Sequence, residues 1–313
     1  MLNRRYLRIK ALQVLYSFYH DDNKDLDRKE RELLKSIENI YDLYIYLLLL
    51  LKEIRHNADR LTEERKKKRL PTAEDINPNR KFIDNPMLLK LASSPILEKE
   101  KDKRKISWSS EEDQLLKELY TKIAGSPEYA AYMADTEHTF EKDRHFIASI
   151  YRKFLSENES LKHHLFEKNI HWASDYMLAN ICIVKSIEAT EENGELDVMP
   201  LYKADDDRDF MIELFRKTIL TDTENIKLIS DKIANWEPDR IASMDFLLMK
   251  MAITEVMTFP GIPVKVTLNE YIEISKLFSS PKSNTFINGI LDAIVKDLKT
   301  QKKFTKIGRG LIE

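Results

Sequence analysis

The sequence predicts an all-α protein, and three observations lead there. Glycine and proline are scarce, six and ten in 313 residues, and 33 % of residues are charged. That composition suits long helices with few tight turns. Apolar residues recur at helical spacing, and no alternation of strands with helices marks a parallel sheet. With 42 % hydrophobic residues the chain can bury a sizeable core, as one large or two ordinary domains. The single cysteine, Cys182, leaves no internal disulfide and fits a reducing, cytoplasmic compartment. Charges interrupt the apolar residues of MLNRRYLRIK, so the start does not read as a signal peptide. The longest apolar run, Leu43 to Leu51, is too short to span a bilayer and reads as a core helix. A net charge of −2 means that any nucleic-acid contact must rest on local charge.

Residues 3–20 form the first helix. At about 100° per residue, Leu7, Ala11, Val14, Leu15 and Phe18 gather on one side, and Arg5, Ile9, Gln13 and Tyr16 on the other. Arg4, Arg5, Arg8 and Lys10 crowd the first ten residues without an acid among them. A helix N-terminus carries partial positive charge and disfavours cations. Two readings stay open: a solvated, frayed end, or arginines set to contact phosphates with Tyr16 offering a stacking face to an unpaired base.

Residues 25–68 read as one long helix with an apolar middle and charged ends, and ERKKKR at 64–69 is either its solvated terminus or an extension of a basic surface. Pro71, Pro78, Pro86 and Pro95 punctuate residues 70–110, which also hold the charge run EKEKDKRK. That stretch reads as a proline-rich, charged connector rather than a packed helix. Residues 111–123 form a short amphipathic helix closed by Gly125, Ser126 and Pro127, and Pro127 begins another helical run.

Residues 143–191 and 207–255 look like a duplication at a constant offset of 64. Asp143, Arg144, Phe146, Arg152, Lys153, Lys168, Trp172, Asp175, Thr190 and Glu191 recur in kind as Asp207, Arg208, Phe210, Arg216, Lys217, Lys232, Trp236, Asp239, Thr254 and Glu255. A fixed offset implies two copies of one supersecondary unit. The copies are separated by the acidic loop EENGELDVMPLYKADDD.

The C-terminal part is the most regular. Met244 to Phe259 is apolar almost all round and reads as a buried helix. Pro260, Gly261 and Pro263 stop it. Thr267 and Glu270 have the spacing of a capping box for the next helix, with Leu268, Ile272 and Leu277 toward the core. Ser283 is the expected N-cap of a last helix whose stripe is Ile287, Ile290, Leu291, Ile294, Val295 and Leu298. The first turn of that helix offers backbone N–H groups to an anion, with Ser283 and Asn284 as added donors. Phe286 lies at the edge of the stripe, either as core or as an exposed ring, and Asn288–Gly289 would permit close helix packing.

At these residues the chain resembles a known family. IPVKVTLNEYIEISKLFSSPKSNTFINGILD resembles the C-terminal signature of NusB, the bacterial transcription antitermination factor. RRYLRIKALQVLYSF is similar to the NusB opening, and DRDFMIELFRKTI and NWEPDRIASMDFLLMKMAITE to its central helices. The resemblance implies a NusB-like helical bundle with an additional helical insertion. Residues 1–23 would be an RNA-binding helix packed on a bundle at 207–300. Residues 24–206 would be the insertion, including the 70–110 connector, and residues 301–313 a flexible tail. It implies an RNA surface of Arg4, Arg5, Arg8, Gln13 and Tyr16 from the first helix, with Lys282, Ser283, Asn284, Phe286 and Asn288 from the last. Lys282 stands where some members carry an acid. It further implies single-stranded boxA-type RNA and the ribosomal protein NusE as partners, the latter facing Asp239 and Asp245. The setting would be the RNA polymerase antitermination complex, in support of ribosomal RNA transcription, with no cofactor, metal or membrane.

Catalytic constellations are missing from the sequence. It contains no G-x-G-x-x-G, no G-x-x-x-x-G-K-[ST] and no G-x-S-x-G. Only one E-x-x-H pair occurs, Glu53 with His56, where a di-iron bundle needs two. His164, Glu167 and His171 share a helical face but read as a solvated histidine cluster rather than a metal site. The expectation is a non-enzymatic, adhesive protein. The alternative is a protein–protein scaffold that kept the fold and lost RNA binding, with residues 24–206 carrying its function.

Overall fold

The computed structural model describes residues 1–233 and 242–311. Fifteen α-helices form among them. The first ten are α1 (Arg4–His20), α2 (Leu26–Lys66), α3 (Ala73–Ile76), α4 (Pro86–Ser93), α5 (Pro95–Arg104), α6 (Asp113–Ala124), α7 (Pro127–Ala134), α8 (Phe140–Ile150), α9 (Glu159–Lys168) and α10 (Tyr176–Ala189). The others are α11 (Asp207–Leu220), α12 (Asp222–Ser230), α13 (Ser243–Thr258), α14 (Val264–Phe278) and α15 (Ser283–Thr300). The chain divides into a terminal unit, Met1–Ser36 with Leu201–Glu313, and an inner unit, Ile37–Pro200. The division lies inside α2 and at residue 200, whereas the sequence places the insertion at 24–206.

In the terminal unit, α13 is the central helix. Leu247, Leu248, Met249, Met251, Ala252, Ile253 and Val256 are all buried, as an all-round apolar helix requires. It packs against α1, α11, α12, α14 and α15. Asn3 caps α1 by accepting from the Tyr6 N–H at 3.2 Å. The Leu2 N–H donates to the Leu201 carbonyl at 3.1 Å, which ties the two segments of the unit together.

Four local expectations are corrected here. The Thr267–Glu270 capping box does not form, because α14 already begins at Val264, after Pro263. Thr267 instead donates to Glu255, and Glu270 pairs with Arg5. Leu277 is 67 % exposed, and the core face of α14 is Leu268, Tyr271 and Ile274. Ser283 is the first residue of α15 rather than its cap, and its hydroxyl bonds Ser279 and Ser280. Residues 301–311 are not a loose tail. Lys306 Nζ donates to the carbonyls of Val256 and Phe259 at 3.0 and 2.9 Å, satisfying orphan groups at the end of α13. The Ile307 N–H donates to the Pro260 carbonyl at 3.0 Å, and Gly310 is buried against the same peptide.

In the inner unit, Leu43 to Leu51 of α2 are buried throughout, so this run is a core helix. The 70–110 stretch is corrected: it holds α3, α4 and α5, with Met87, Leu88, Leu91 and Leu97 buried. Pro86 and Pro95 start α4 and α5, capped by the side chains of Asn85 and Ser94. A proline at the first helical position lacks only an N–H that the helix would leave unpaired.

The duplicated segments fold alike. α8 continues into one π turn at Tyr151–Leu155, and together they match α11. α9 then matches α12, and α10 matches α13. α8 packs on α4 and α10, as α11 packs on α1 and α13. Asp143 and Asp207, equivalent residues, are both buried near the start of their helices. Trp172 Nε1–H donates to the Asn39 carbonyl at 2.9 Å, and its counterpart Trp236 lies outside the described residues.

A Cβ added at Gly310 would sit 2.0 Å from the Pro260 carbonyl oxygen, so Gly310→Ala must displace backbone. Hydrogen–deuterium exchange should show residues 303–311 losing protection in this variant, while α13 keeps its own.

Candidate nucleic-acid interface

The arginines at the start of α1 are all paired, and Arg5 and Arg8 share one acid, Glu270, which lies 3.7 Å from Arg8. Arg4 donates to Asp206 at 2.7 Å and to Asp207 at 3.0 Å. Arg5 grips Glu270 of α14 with two bonds of 2.8 Å. Arg8 grips Glu255 of α13 with bonds of 2.7 and 2.6 Å. The guanidinium groups of Arg4 and Arg8 also lie over the Phe210 ring, 4.7 and 5.2 Å from its centroid. These partners offset the dipole penalty that the sequence makes apparent.

Burial separates the three. Arg8 is 2 % exposed and Glu255 is fully buried. The Glu255 carboxylate also accepts from Thr267 at 2.8 Å and Tyr271 at 3.1 Å, so four donors fill its acceptor sites. Burial alone lowers the pKa of the Arg8 guanidinium, but the hydrogen bonds and charge of Glu255 more than reverse this and raise it. Burial and the Glu255 charge both push the Tyr271 phenol well above its ordinary range. Arg8 therefore cannot reach a phosphate, which corrects its expected role. The side chains of Arg4 and Arg5 remain 32 % and 42 % exposed.

Tyr16 is exposed and stacks on His20, one turn on, with ring centroids 4.1 Å apart. Both line a groove of about 270 Å³ with Tyr19, Ser243, Phe246, Leu247 and Lys250. Lys250 is held at 2.7 Å by Asp222 and lies over the Tyr19 ring at 4.2 Å. His20, Phe246 and Lys250 are the residues that sequence reasoning passes over here. The i, i+4 spacing of Tyr16 and His20 is the signal that could have found the first. Gln13 is half-buried on the same helix.

On α15 the expected residues diverge. Phe286 and Asn288 stand about 200° apart around the helix axis, so they do not address one ligand together. Both are half-buried, and Asn288 donates to Asp292 at 3.3 Å. Ser283 is buried, and that removes it as an RNA donor. The first-turn anion site is also largely used by the chain itself. The N–H groups of Ser283, Thr285 and Phe286 already donate to Ser280, Asn284 and Lys282. A Cβ at Gly289 would meet nothing within 4 Å, so this glycine does not serve helix packing. Lys282 is exposed at the head of the helix.

Of the two expected partner-facing acids, Asp239 lies outside the described residues. Asp245 is buried and accepts from the Ser279 hydroxyl, so it is a tie between α13 and the end of α14, not a surface contact. The histidine trio is not assembled either. His164 packs against Tyr46 and Trp108, and burial lowers its pKa. Glu167 faces His163 at 3.2 Å. Among the described residues, no group of three or more His, Cys, Asp or Glu is placed to hold a metal, and no helix is long and apolar enough to cross a membrane.

Comparison with known proteins gives a consistent picture. The profile of the NusB family matches residues 183–296. The chain is 46 % identical over 114 residues to the transcription antitermination protein NusB of Salinibacter ruber, covering 36 % of this chain and 71 % of that protein. It is 40 % identical over 110 residues to the protein of that name from Chloroherpeton thalassium, covering 34 % of this chain and 50 % of the relative. The Koribacter versatilis protein of that name is 38 % identical over 96 residues, 31 % of this chain and 66 % of the relative. No solved structure matches. α1 and residues 297–313 lie outside the matched profile.

The arginine pairs differ in what their loss should do. Arg8→Ala strands a buried carboxylate and should destabilise the fold by about 3–5 kcal/mol in chemical denaturation. Arg5→Ala, at a solvent-screened pair, should cost no more than about 1 kcal/mol.

The hydrogen bonds from Arg5, opposed by burial, hold Glu270 below its ordinary 4.5. A depressed carboxylate contributes stability that is complete above its unfolded value and is lost as pH falls through its folded one. Thermal melts of the wild type and Glu270→Gln should therefore differ at pH 6 and draw together as the pH falls below 4.5 and through the depressed folded value.

Proposed function

The chain belongs to the NusB family, and we propose from that premise that it is a transcription antitermination factor that acts by adhesion to RNA. The ligand is single-stranded RNA of the boxA type, held together with the ribosomal protein NusE within the RNA polymerase antitermination complex, in support of ribosomal RNA synthesis. The observation that carries this reading is the exposed Tyr16 ring, stacked on His20 at the mouth of a groove that also holds Phe246 and Lys250. Such a platform accepts an unpaired base whatever its identity, because every base has a π face.

The remaining roles follow from accessibility. Arg4, Arg5 and Lys282 are the cations of the expected set that solvent reaches. Lys282 meets a phosphate directly, whereas Arg4 and Arg5 do so only by sharing donors with their carboxylates. Gln13, Asn284 and Phe286 are half-buried and serve at the edges. Asn288 faces another flank of α15 and would contact only a strand that rounds the helix. Asp239 keeps its proposed place toward NusE.

Fluorescence anisotropy with a boxA-containing RNA, with and without NusE, tests the proposal. Affinity should fall with added salt, with a shallow slope because few free cations face the strand. Tyr16→Ala and Phe286→Ala should each weaken binding by about 1–3 kcal/mol if both rings stack on bases. Unchanged affinity in both variants would remove this surface. A folded protein that binds no RNA would instead favour a scaffold of the same fold.

A further inference from the structure

The internal duplication permits a comparison that a single domain does not. α10 and α13 are equivalent helices, offset by 64 residues. On α13, Asp245, Leu248, Met249 and Ala252 form one stripe and are all buried. α14 and α15 pack on α13, and Ser279, just after α14, bonds Asp245 directly. The equivalent stripe on α10 is Ile181, Val184, Lys185 and Glu188. Ile181, Lys185 and Glu188 are exposed and Val184 is half-exposed. One turn earlier, Met177 is 77 % exposed. The first copy has no equivalent of α14 and α15 following it; its chain turns into the acidic loop after Thr190.

We propose that this stripe of α10 is a docking groove for an amphipathic helix of a partner protein, one with acidic residues along an edge. The groove measures about 500 Å³. Met177, Ile181 and Val184 give its apolar floor, at the i, i+4 and i+7 spacing that an incoming helix reads. Its rim is charged. Arg152 pairs with Glu188, and Lys162 with Glu157 and Glu159. Lys185, in the middle of the stripe, makes no ion pair with the described residues and replaces the buried Met249 of the other copy. A carboxylate on the incoming helix complements it.

The mixture of three apolar residues with a charged rim fits an interface that must be soluble when empty, since non-obligate interfaces are no more apolar than ordinary surface. A second copy of the chain is a poorer occupant. A symmetric pair would set the same face of each copy against the other, bringing a second Lys185 rather than an acid to this stripe.

The chain itself supplies a probe. A labelled synthetic peptide of residues 263–300 contains the two helices that pack on the equivalent helix α13, with Glu270 and Glu273 in the first of them. The peptide should bind the full-length protein saturably. Ile181→Asp and Met177→Asp should each weaken it at least about tenfold, because a charged group replaces an apolar side chain in the floor that the peptide covers. Lys185→Glu should weaken it about threefold, the scale of an exposed ion pair. All three positions are exposed, so unchanged melting temperatures should accompany the loss. RNA binding through Tyr16 should persist in every variant, which separates this groove from the RNA surface. Absence of peptide binding, or equal binding by all variants, overturns the proposal. A concentration-dependent dimer in light scattering that Ile181→Asp abolishes also overturns it, in favour of a second copy.

Discussion

The buried pair of Arg8 and Glu255 constrains the terminal unit more than any other contact. A fully buried carboxylate is costly unless it is paired and its oxygens are satisfied. Here Arg8 brings α1 to α13, and Thr267 and Tyr271 bring α14 to the same carboxylate. The first helix and the consecutive pair α13 and α14, far from it in sequence, are thereby fixed to one atom group in one register. Apolar packing around α13 supplies the driving force, but it tolerates sliding. The four donors to Glu255 do not. The neighbouring pairs of Arg4 and Arg5 extend the same arrangement outward, from buried to partly exposed. The cationic start of α1 is thus first of all a set of structural clamps.

Duplication gives the two units the same three-helix frame and leaves them with different needs. In the terminal unit the frame is completed by α14, α15 and the segment at 301–311, with Lys306 closing the end of α13. Burial lowers the pKa of this lysine, and the Glu255 charge works against that. In the inner unit the same frame has a different neighbour. α4 takes the place beside α8 that α1 takes beside α11. Tyr132 and Asn85 bond around Asp143, where Arg4 serves Asp207. Equivalent buried acids are therefore satisfied by a neutral network in one copy and by a cation in the other. One frame with two ways of satisfying its polar groups is what a drifting copy permits.

Much of the fold was readable in the sequence because helical periodicity reports burial directly. α1, α2, α13 and the stripe of α15 follow it, as does the duplicated pair. The failures have specific causes. Pro127 reads as a helix start and Pro86 and Pro95 as breakers, although the caps Asn85 and Ser94 precede the latter two just as Ser126 precedes Pro127. The charge run after Pro95 concealed a helix with little apolar content. The Thr267–Glu270 spacing imitated a cap because both residues have long-range partners that no local rule detects. The tail looked loose because its anchors are a lysine and a glycine, whose buried roles depend on carbonyls at 256–260. At the site, the wheel sets Arg8 beside Ala11 and Leu15 and Arg5 on the opposite face, so periodicity already separates the sealed arginine from the accessible one. What no local rule shows is the partner, Glu255, that makes burial of Arg8 tolerable.

That distinction bears on how an RNA strand would be held. Had all the N-terminal arginines been free, electrostatics would dominate, and affinity would fall steeply with salt. With Arg8 withdrawn and Arg4 and Arg5 already engaged by carboxylates, a phosphate gains only the difference between itself and an existing partner. The balance then shifts toward stacking on Tyr16 and its groove, which salt affects little. Stacking alone discriminates poorly between bases. Selectivity would then have to come from edges that a single chain presents sparsely, and a second protein completing the surface is the physical remedy. The proposed contribution of a ribosomal-protein partner to RNA affinity is therefore consistent with the pairing of the arginines in the folded chain.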